Sequence, residues 1–334
     1  MPLGLPLLLG AGLLAGWVLL VLFTCWLLTH PPRRTYAHAV ARNLPGDPSE
    51  RALPGGDGSP ARPLKFSQWT FRSRGVDLPV WDIQGLNPAG PTIILSHGWG
   101  DSRIVMLPRI AALAPLAARI IAWDLPAHGD APRGRFTLGA CEAADLLELV
   151  DRVALDPGNA APRIILYGFS LGAAITIDAA ARFAARSADV PARLAGLILE
   201  APYCLPTTPA RNVLRIRALP YRSNLGAAMA LLVLRFGPRF RASAFDRARH
   251  PFRSPALMLH GTLDAICPED DSREIAARNP SCTLRSIPLA AHNTMWTEPA
   301  TASVALTAVQ EFMGVLAVSR DEERVAPIAS TAAC

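Results

Sequence analysis

The sequence predicts an α/β protein built on a mostly parallel, eight-stranded sheet with helices on both faces. Three observations carry this expectation. From residue 64 onward, short apolar runs alternate with longer helical runs, the order that builds parallel sheets. The stretch Tyr167-Gly168-Phe169-Ser170-Leu171-Gly172 joins one such run, Ile164-Ile165-Leu166, to an Ala-rich helical run over 173–186. Polar motifs also follow directly on predicted strands, where the ligand sites of such sheets lie.

The elements follow in order. Residues 1–29 carry no charged side chain, and the apolar run over 3–28 is long enough to cross a hydrocarbon core of roughly 30 Å. A secretory signal would show a basic start and a shorter apolar stretch. Residues 1–30 therefore read as an uncleaved transmembrane anchor, although Ala37-His38-Ala39 resembles a cleavage site. Arg33, Arg34 and Arg42 follow the span, which by the positive-inside rule places the globular part in the cytoplasm. Residues 31–63 are rich in Pro and Gly, lack periodicity and read as a linker.

The globular domain is expected over 64–318. Residues 65–71 and 76–83 read as an antiparallel pair turning at Ser73-Arg74-Gly75. Further strands are expected at 92–95, 119–123, 164–166, 194–199, 256–259 and 283–287. Helices are expected at 104–116 despite Pro108, at 138–153, and at 298–318 as the closing element. Residues 202–255 form an insertion between two core strands that should cap the site. Its run over 225–236 is apolar, too short to span a bilayer, and flanked by arginines. Residues 319–334 read as a disordered tail.

Composition excludes several classes. The chain has 334 residues, 51% hydrophobic and 18% charged, with a net charge of +6. Its arginines are scattered and few aromatics interleave with them, so no nucleic-acid footprint exists. The six cysteines include no Cys-x-x-Cys pair, which supports neither a zinc site nor a redox motif, and no cofactor or metal is expected.

The motifs carry the chemistry. Strand, Gly-x-Ser-x-Gly, helix is the context of a nucleophile elbow. The tight turn strains Ser170 and lifts its hydroxyl above the sheet edge. The amide of Leu171 can then donate to an oxyanion. Ser96-His97-Gly98-Trp99-Gly100-Asp101 places the amide of Trp99 as the second donor, with His97 structural. Asp124-Leu125-Pro126-Ala127-His128-Gly129 reads as a turn held by side-chain hydrogen bonds to backbone. In His260-Gly261-Thr262-Leu263-Asp264, Asp264 is the acid expected to orient the base, ahead of Asp270, Asp271 and Glu200. Of seven histidines, only His292 lies between the last strand and the closing helix. The order Ser170, Asp264, His292 is that of nucleophile, acid and base in this architecture.

These motifs, with Glu200-Ala201-Pro202, make the chain resemble the α/β-hydrolases, specifically the N-terminally membrane-anchored, serine-hydrolase type. The resemblance covers about residues 65 to 318. It implies an α/β-hydrolase fold with a helical cap, and hydrolysis of carboxylic ester or thioester bonds of a small or acyl-chain substrate through an acyl-enzyme on Ser170. One departure is Phe169, where many members have His before the nucleophile. Acyl transfer is a variant of this reading. The alternative of another class is a non-catalytic binding or scaffold protein, which usually lacks one of the three residues.

Overall fold

A computed structural model describes residues 4–53, 62–134, 136–156, 163–185, 193–237 and 246–325. Its first element is the helix α1, Gly4–Thr29, followed by the short helix α2, Tyr36–Val40, and a two-stranded ladder of β1, Ala52–Leu53, with β2, Arg62–Pro63. The main sheet then forms from β3 (Phe66–Ser73), β4 (Val76–Gln84), β5 (Thr92–Ser96), β6 (Arg119–Trp123), β7 (Arg163–Phe169), β8 (Arg193–Glu200), β9 (Ala256–Gly261) and β10 (Cys282–Ile287). The helices between and after them are α3 (Leu107–Leu113), α4 (Glu142–Ala154), α5 (Leu171–Ala184), α6 (Thr207–Ile216), α7 (Leu225–Phe236), α8 (Glu269–Arg278) and α9 (Pro299–Val325).

The eight strands lie in the order β10-β9-β8-β7-β5-β6-β4-β3. β3 pairs antiparallel with β4, and β4 with β6, while every other pair is parallel. Arg74 and Gly75, between β3 and β4, both have positive φ, as a two-residue hairpin turn of the favoured twist requires. β5 is buried throughout, the mark of a central parallel strand covered on both faces. The sheet splits the apolar interior into two clusters. One, under α4 and α5, includes Ile94, Leu146, Leu166 and Ile175. The other includes Ile93, Ile165, Ile198 and Val309.

Several boundaries differ from the sequence expectation, each for a local reason. The helix expected from 104 starts at Leu107, because Pro108 is tolerated only in the first turn. The helix expected from 138 starts at Glu142, because Leu138 and Gly139 have positive φ. The Glu142 carboxylate instead accepts from the amides of Thr137 and Gly139 and from the Thr137 hydroxyl. The helix expected over 173–186 begins at Leu171, and Arg186 lies outside the described residues. α9 continues to Val325, past the expected end at Val318, and 326–334 of the expected tail lie outside the described residues.

The start of the stretch expected to be a linker, over 31–53, packs on the domain, and 54–61 lie outside the described residues. Arg33 donates to the carbonyls of Gly129 and Ala131 at 3.0 and 2.7 Å, and Arg34 pairs with Asp101 at 2.6 Å. Ala39 and Pro48 are buried. These are long-range contacts of single side chains, and no periodicity announces them. The segment expected as a cap over 202–255 carries the helices α6 and α7 joined by turns, and 238–245 lie outside the described residues.

Candidate active site

The elbow sits where β7 passes into α5. Ser170 has φ 53° and ψ −112°, a strained conformation for a residue with a side chain. Neighbouring atoms dictate the two glycines. A Cβ on Gly168 would lie 2.3 Å from the carbonyl oxygen of Gly172, and one on Gly172 would lie 2.0 Å from that of Ser96. The Ser170 amide donates to the Glu200 carbonyl at 2.8 Å, which ties the turn to the end of β8. Leu171 is the first residue of α5, so its amide has no acceptor within the helix.

Asp264 and His292 come from the loops after β9 and β10. The backbone joins those loops, with the amide of Thr262 on Ile287 and that of Leu263 on Ala290. His292 Nδ1 lies 2.7 Å from Asp264 Oδ2, and its Nε2 lies 3.1 Å from Ser170 Oγ. The amides of Ile266 and Cys267 donate to Asp264 Oδ1, both at 2.8 Å. Burial pushes the Asp264 carboxyl up, but the hydrogen bond and charge of His292 and the two amides outweigh it and hold it below the ordinary value. An ionised Asp264 orients the ring so that Nδ1 carries the proton and Nε2 faces the serine hydroxyl.

Among the described residues, no rival of Asp264 bonds His292, and two of them bond other groups. Asp270 and Asp271 stand in the first turn of α8, and Asp271 accepts from the Cys204 amide at 3.0 Å. Glu200 is fully buried. Arg109 grips it at 2.7 and 2.5 Å, and Tyr167 and Trp296 also donate to it.

His97 and His128 form a structural knot, while His260 bonds the Ser272 hydroxyl and the Cys267 carbonyl. His97 takes the Leu125 amide on Nε2 at 3.0 Å, so its Nδ1 donates to the Gly98 carbonyl at 2.8 Å. Burial, the neighbouring His128 and Arg103 push its pKa well below the ordinary value. His128 Nδ1 meets the Pro126 carbonyl at 2.9 Å, and burial lowers its pKa to about 4. Asp124 accepts from the amides of Arg103 and Asp130 and pairs with the Arg103 guanidinium.

A cavity of about 180 Å³ opens over the serine. Gly98, Trp99, Phe169, Leu171 and His292 lie on its floor side, and α6 supplies Val213, Leu214 and Arg217 from the cap. Sequence reading missed three groups. Leu27, Leu28 and Arg34 of the N-terminal segment line the same cavity. The buried Cys267 thiol lies 4.0 Å from Ser170 Oγ, and burial and the Asp264 charge push its pKa well above the ordinary value. Phe169 is a platform: His292 lies over it at 5.0 Å and the Arg109 guanidinium at 4.3 Å. Only the departure at 169 marked that position in the sequence.

Among the described residues, Asp264, Cys267 and His292 put three possible metal-ligand atoms within 4.8 Å of one another. Both Asp264 oxygens and both His292 nitrogens already have protein partners, and the thiol is held neutral. The set suits a proton relay better than an ion.

A strained serine at a strand-to-helix turn, on a mostly parallel sheet carrying a helical cap, defines the α/β-hydrolase architecture. The profile of the alpha/beta hydrolase family matches residues 93–306, and the chain belongs to that family. No curated protein sequence matches it. Among solved structures, an esterase from Pyrococcus furiosus is 21% identical with a TM-score of 0.56, over 75% of this chain and 94% of that one. A putative hydrolase from Agrobacterium vitis is 18% identical with a TM-score of 0.56, over 75% of this chain and 100% of that one. A bacterial membrane phospholipase A is 18% identical with a TM-score of 0.54, over 75% of this chain and 86% of that one. At such identities the likeness concerns the fold. The family supports a hydrolase.

Proposed function

We propose that this chain is a membrane-anchored serine hydrolase that cleaves carboxylic ester or thioester bonds of a small or acyl-chain substrate. One observation carries the reading: an unbroken path from Asp264 through His292 to Ser170, at 2.7 and 3.1 Å, that ends in the cavity. His292 Nε2 takes the hydroxyl proton as Ser170 Oγ attacks the acyl carbonyl. Asp264 holds the ring in its tautomer and stabilises the imidazolium. The amides of Leu171 and Trp99 stabilise the oxyanion, each donor contributing roughly a hundredfold or more in rate. His292 then returns the proton to the leaving alcohol or thiol. Water, activated by the same base, attacks the acyl-enzyme and releases the acid.

The N-terminal helix is read as a retained single-pass anchor, with the domain in the cytoplasm. Cleavage after Ala39 would strip Val21, Cys25, Leu28 and Ala39 from the apolar interior, which supports retention.

The test is fluorophosphonate labelling of the full chain in detergent. The native protein is expected to label and Ser170→Ala to stay unlabelled, with ester hydrolysis lost in parallel. A folded native protein that neither labels nor hydrolyses any ester would overturn the serine mechanism.

A further inference from the structure

α1 reaches the substrate cavity. Its second half runs along α7 of the cap. Asn224 Nδ2 donates to Thr24 Oγ1 at 2.7 Å, Cys25 Sγ to the Ala228 carbonyl at 3.3 Å, and Trp17 Nε1 to the Ser223 carbonyl at 3.0 Å. Thr24 and Asn224 are buried, so this polar clasp sits inside an apolar seam and sets the register of the two helices. At the end of α1, the Leu28 carbonyl accepts from the Trp99 indole at 3.1 Å. Leu27 and Leu28 face the cavity that holds Ser170 and His292.

The outer side of the same pair is apolar and uncovered. Leu19, Leu22, Phe23 and Trp26 are exposed on α1, and Leu234 of α7 is 81% exposed. α1 is long and apolar enough to cross a membrane. Such faces belong in lipid rather than water. The charges agree. Residues 201–245 contain seven arginines and no carboxylate, and Arg211, Arg215, Arg217 and Arg222 are exposed on α6 and the turn before α7. An apolar helix pair edged by exposed arginines is complementary to a leaflet with anionic phosphate headgroups.

We propose that α1 is a wall of the substrate site as well as an anchor, and that the cavity takes the acyl chain of a lipid drawn from the leaflet in which α1 and α7 sit. The inference rests on the serine-hydrolase reading and names its substrate class. One helix meets lipid on its outer side and the cavity on its inner side. The acyl chain therefore passes from one apolar surface to the other, and only the ester group meets polar residues. Arg217, on the cavity wall, lies where a headgroup phosphate would trail.

The experiment uses the full chain in phosphatidylglycerol vesicles. A long-chain alkyl fluorophosphonate with a terminal diazirine is reacted with the protein and then irradiated. Adducts on Ser170 whose chain ends cross-link to α1 at Leu27 or Leu28 are expected. Ser170 adducts whose chain ends map only to residues outside α1 would overturn the inference while leaving the hydrolase intact. Absence of any Ser170 adduct would instead sink the hydrolase reading and the inference with it. Leu234→Asp, outside the cavity, is the second arm, because a carboxylate is costly in hydrocarbon. It should slow hydrolysis of long-chain phosphatidylglycerol in vesicles by about tenfold or more, with a short water-soluble ester turned over at the native rate. Equal rates of native protein and variant on the vesicle lipid would count against the proposal.

Discussion

Two aspartate–histidine clusters lie at strand ends of one sheet, after β5 and β6 and after β9 and β10, with β7 and β8 between them. They are built from the same residue types but wired differently. Around Asp124, both histidines spend ring nitrogens on backbone: His97 on Gly98 and Leu125, and His128 on Pro126. The carboxylate is saturated by Arg103 and by two amides. Around Asp264, the two amides occupy one oxygen and leave the other for His292, whose far nitrogen meets a hydroxyl at a cavity. Burial is deep in both places. What separates a knot from a relay is whether a histidine bonds backbone groups or joins a carboxylate to a nucleophile.

The sharpest way to break that distinction is to neutralise each carboxylate in turn. Asp264→Asn keeps an acceptor for the Ile266 and Cys267 amides but offers an N–H to His292, which favours the wrong tautomer. Ester hydrolysis should fall by roughly ten-thousandfold with little change in thermal midpoint. A loss under tenfold would remove Asp264 from the relay. Asp124→Asn should do the reverse. It takes the buried carboxylate from the Arg103 guanidinium, which is 3% exposed and keeps only Asp130 at 3.2 Å as an ion-pair partner, and should cost about 3 kcal/mol of stability, read by denaturant unfolding. Turnover per fluorophosphonate-reactive serine should stay within a few-fold of native. Collapsed turnover in a stable variant would give the knot a catalytic part.

A smaller effect separates the clusters by pH. His128 has a folded pKa of about 4 against an ordinary 6.5, so its contribution to stability is complete above about pH 6.5. It is lost as pH falls towards 4, because the unfolded chain takes up the proton first. The amount is about 3 kcal/mol, and His97, shifted in the same direction, adds to it. The thermal midpoint should fall over that window, and His128→Gln should flatten the slope. A native midpoint independent of pH between 6.5 and 4 would contradict the burial of neutral histidines.

The elbow was legible in sequence because its constraints are local. Gly168 and Gly172 answer clashes within a few residues of Ser170 or with the adjoining strand, and hydrophobic periodicity marks the elements on either side. Asp264 and His292 were legible from their places after predicted strands, since a parallel sheet gathers those ends at one edge. His97 and Asp124 also follow strands and read as turn residues, and their side chains bond the backbone of Gly98, Leu125, Arg103 and Asp130. Phe169 was visible as a departure, but its service as a platform for His292 and Arg109 was not. Cys267 gave no signal, because a lone cysteine in a loop looks like any other.

Ser170, its strained turn and the sheet that carries it follow from the sequence alone, through backbone sterics and the alternation of short and long apolar runs. Only the tertiary structure decides what becomes of residues 17–34. They have the composition of an anchor and the start of a linker, yet Leu28 and Arg34 end beside Ser170. The contacts that bring them there join residues from 67 to more than 200 positions apart. Each rests on one carbonyl or side chain presented by a distant loop or helix, and no run of neighbouring residues encodes such a match.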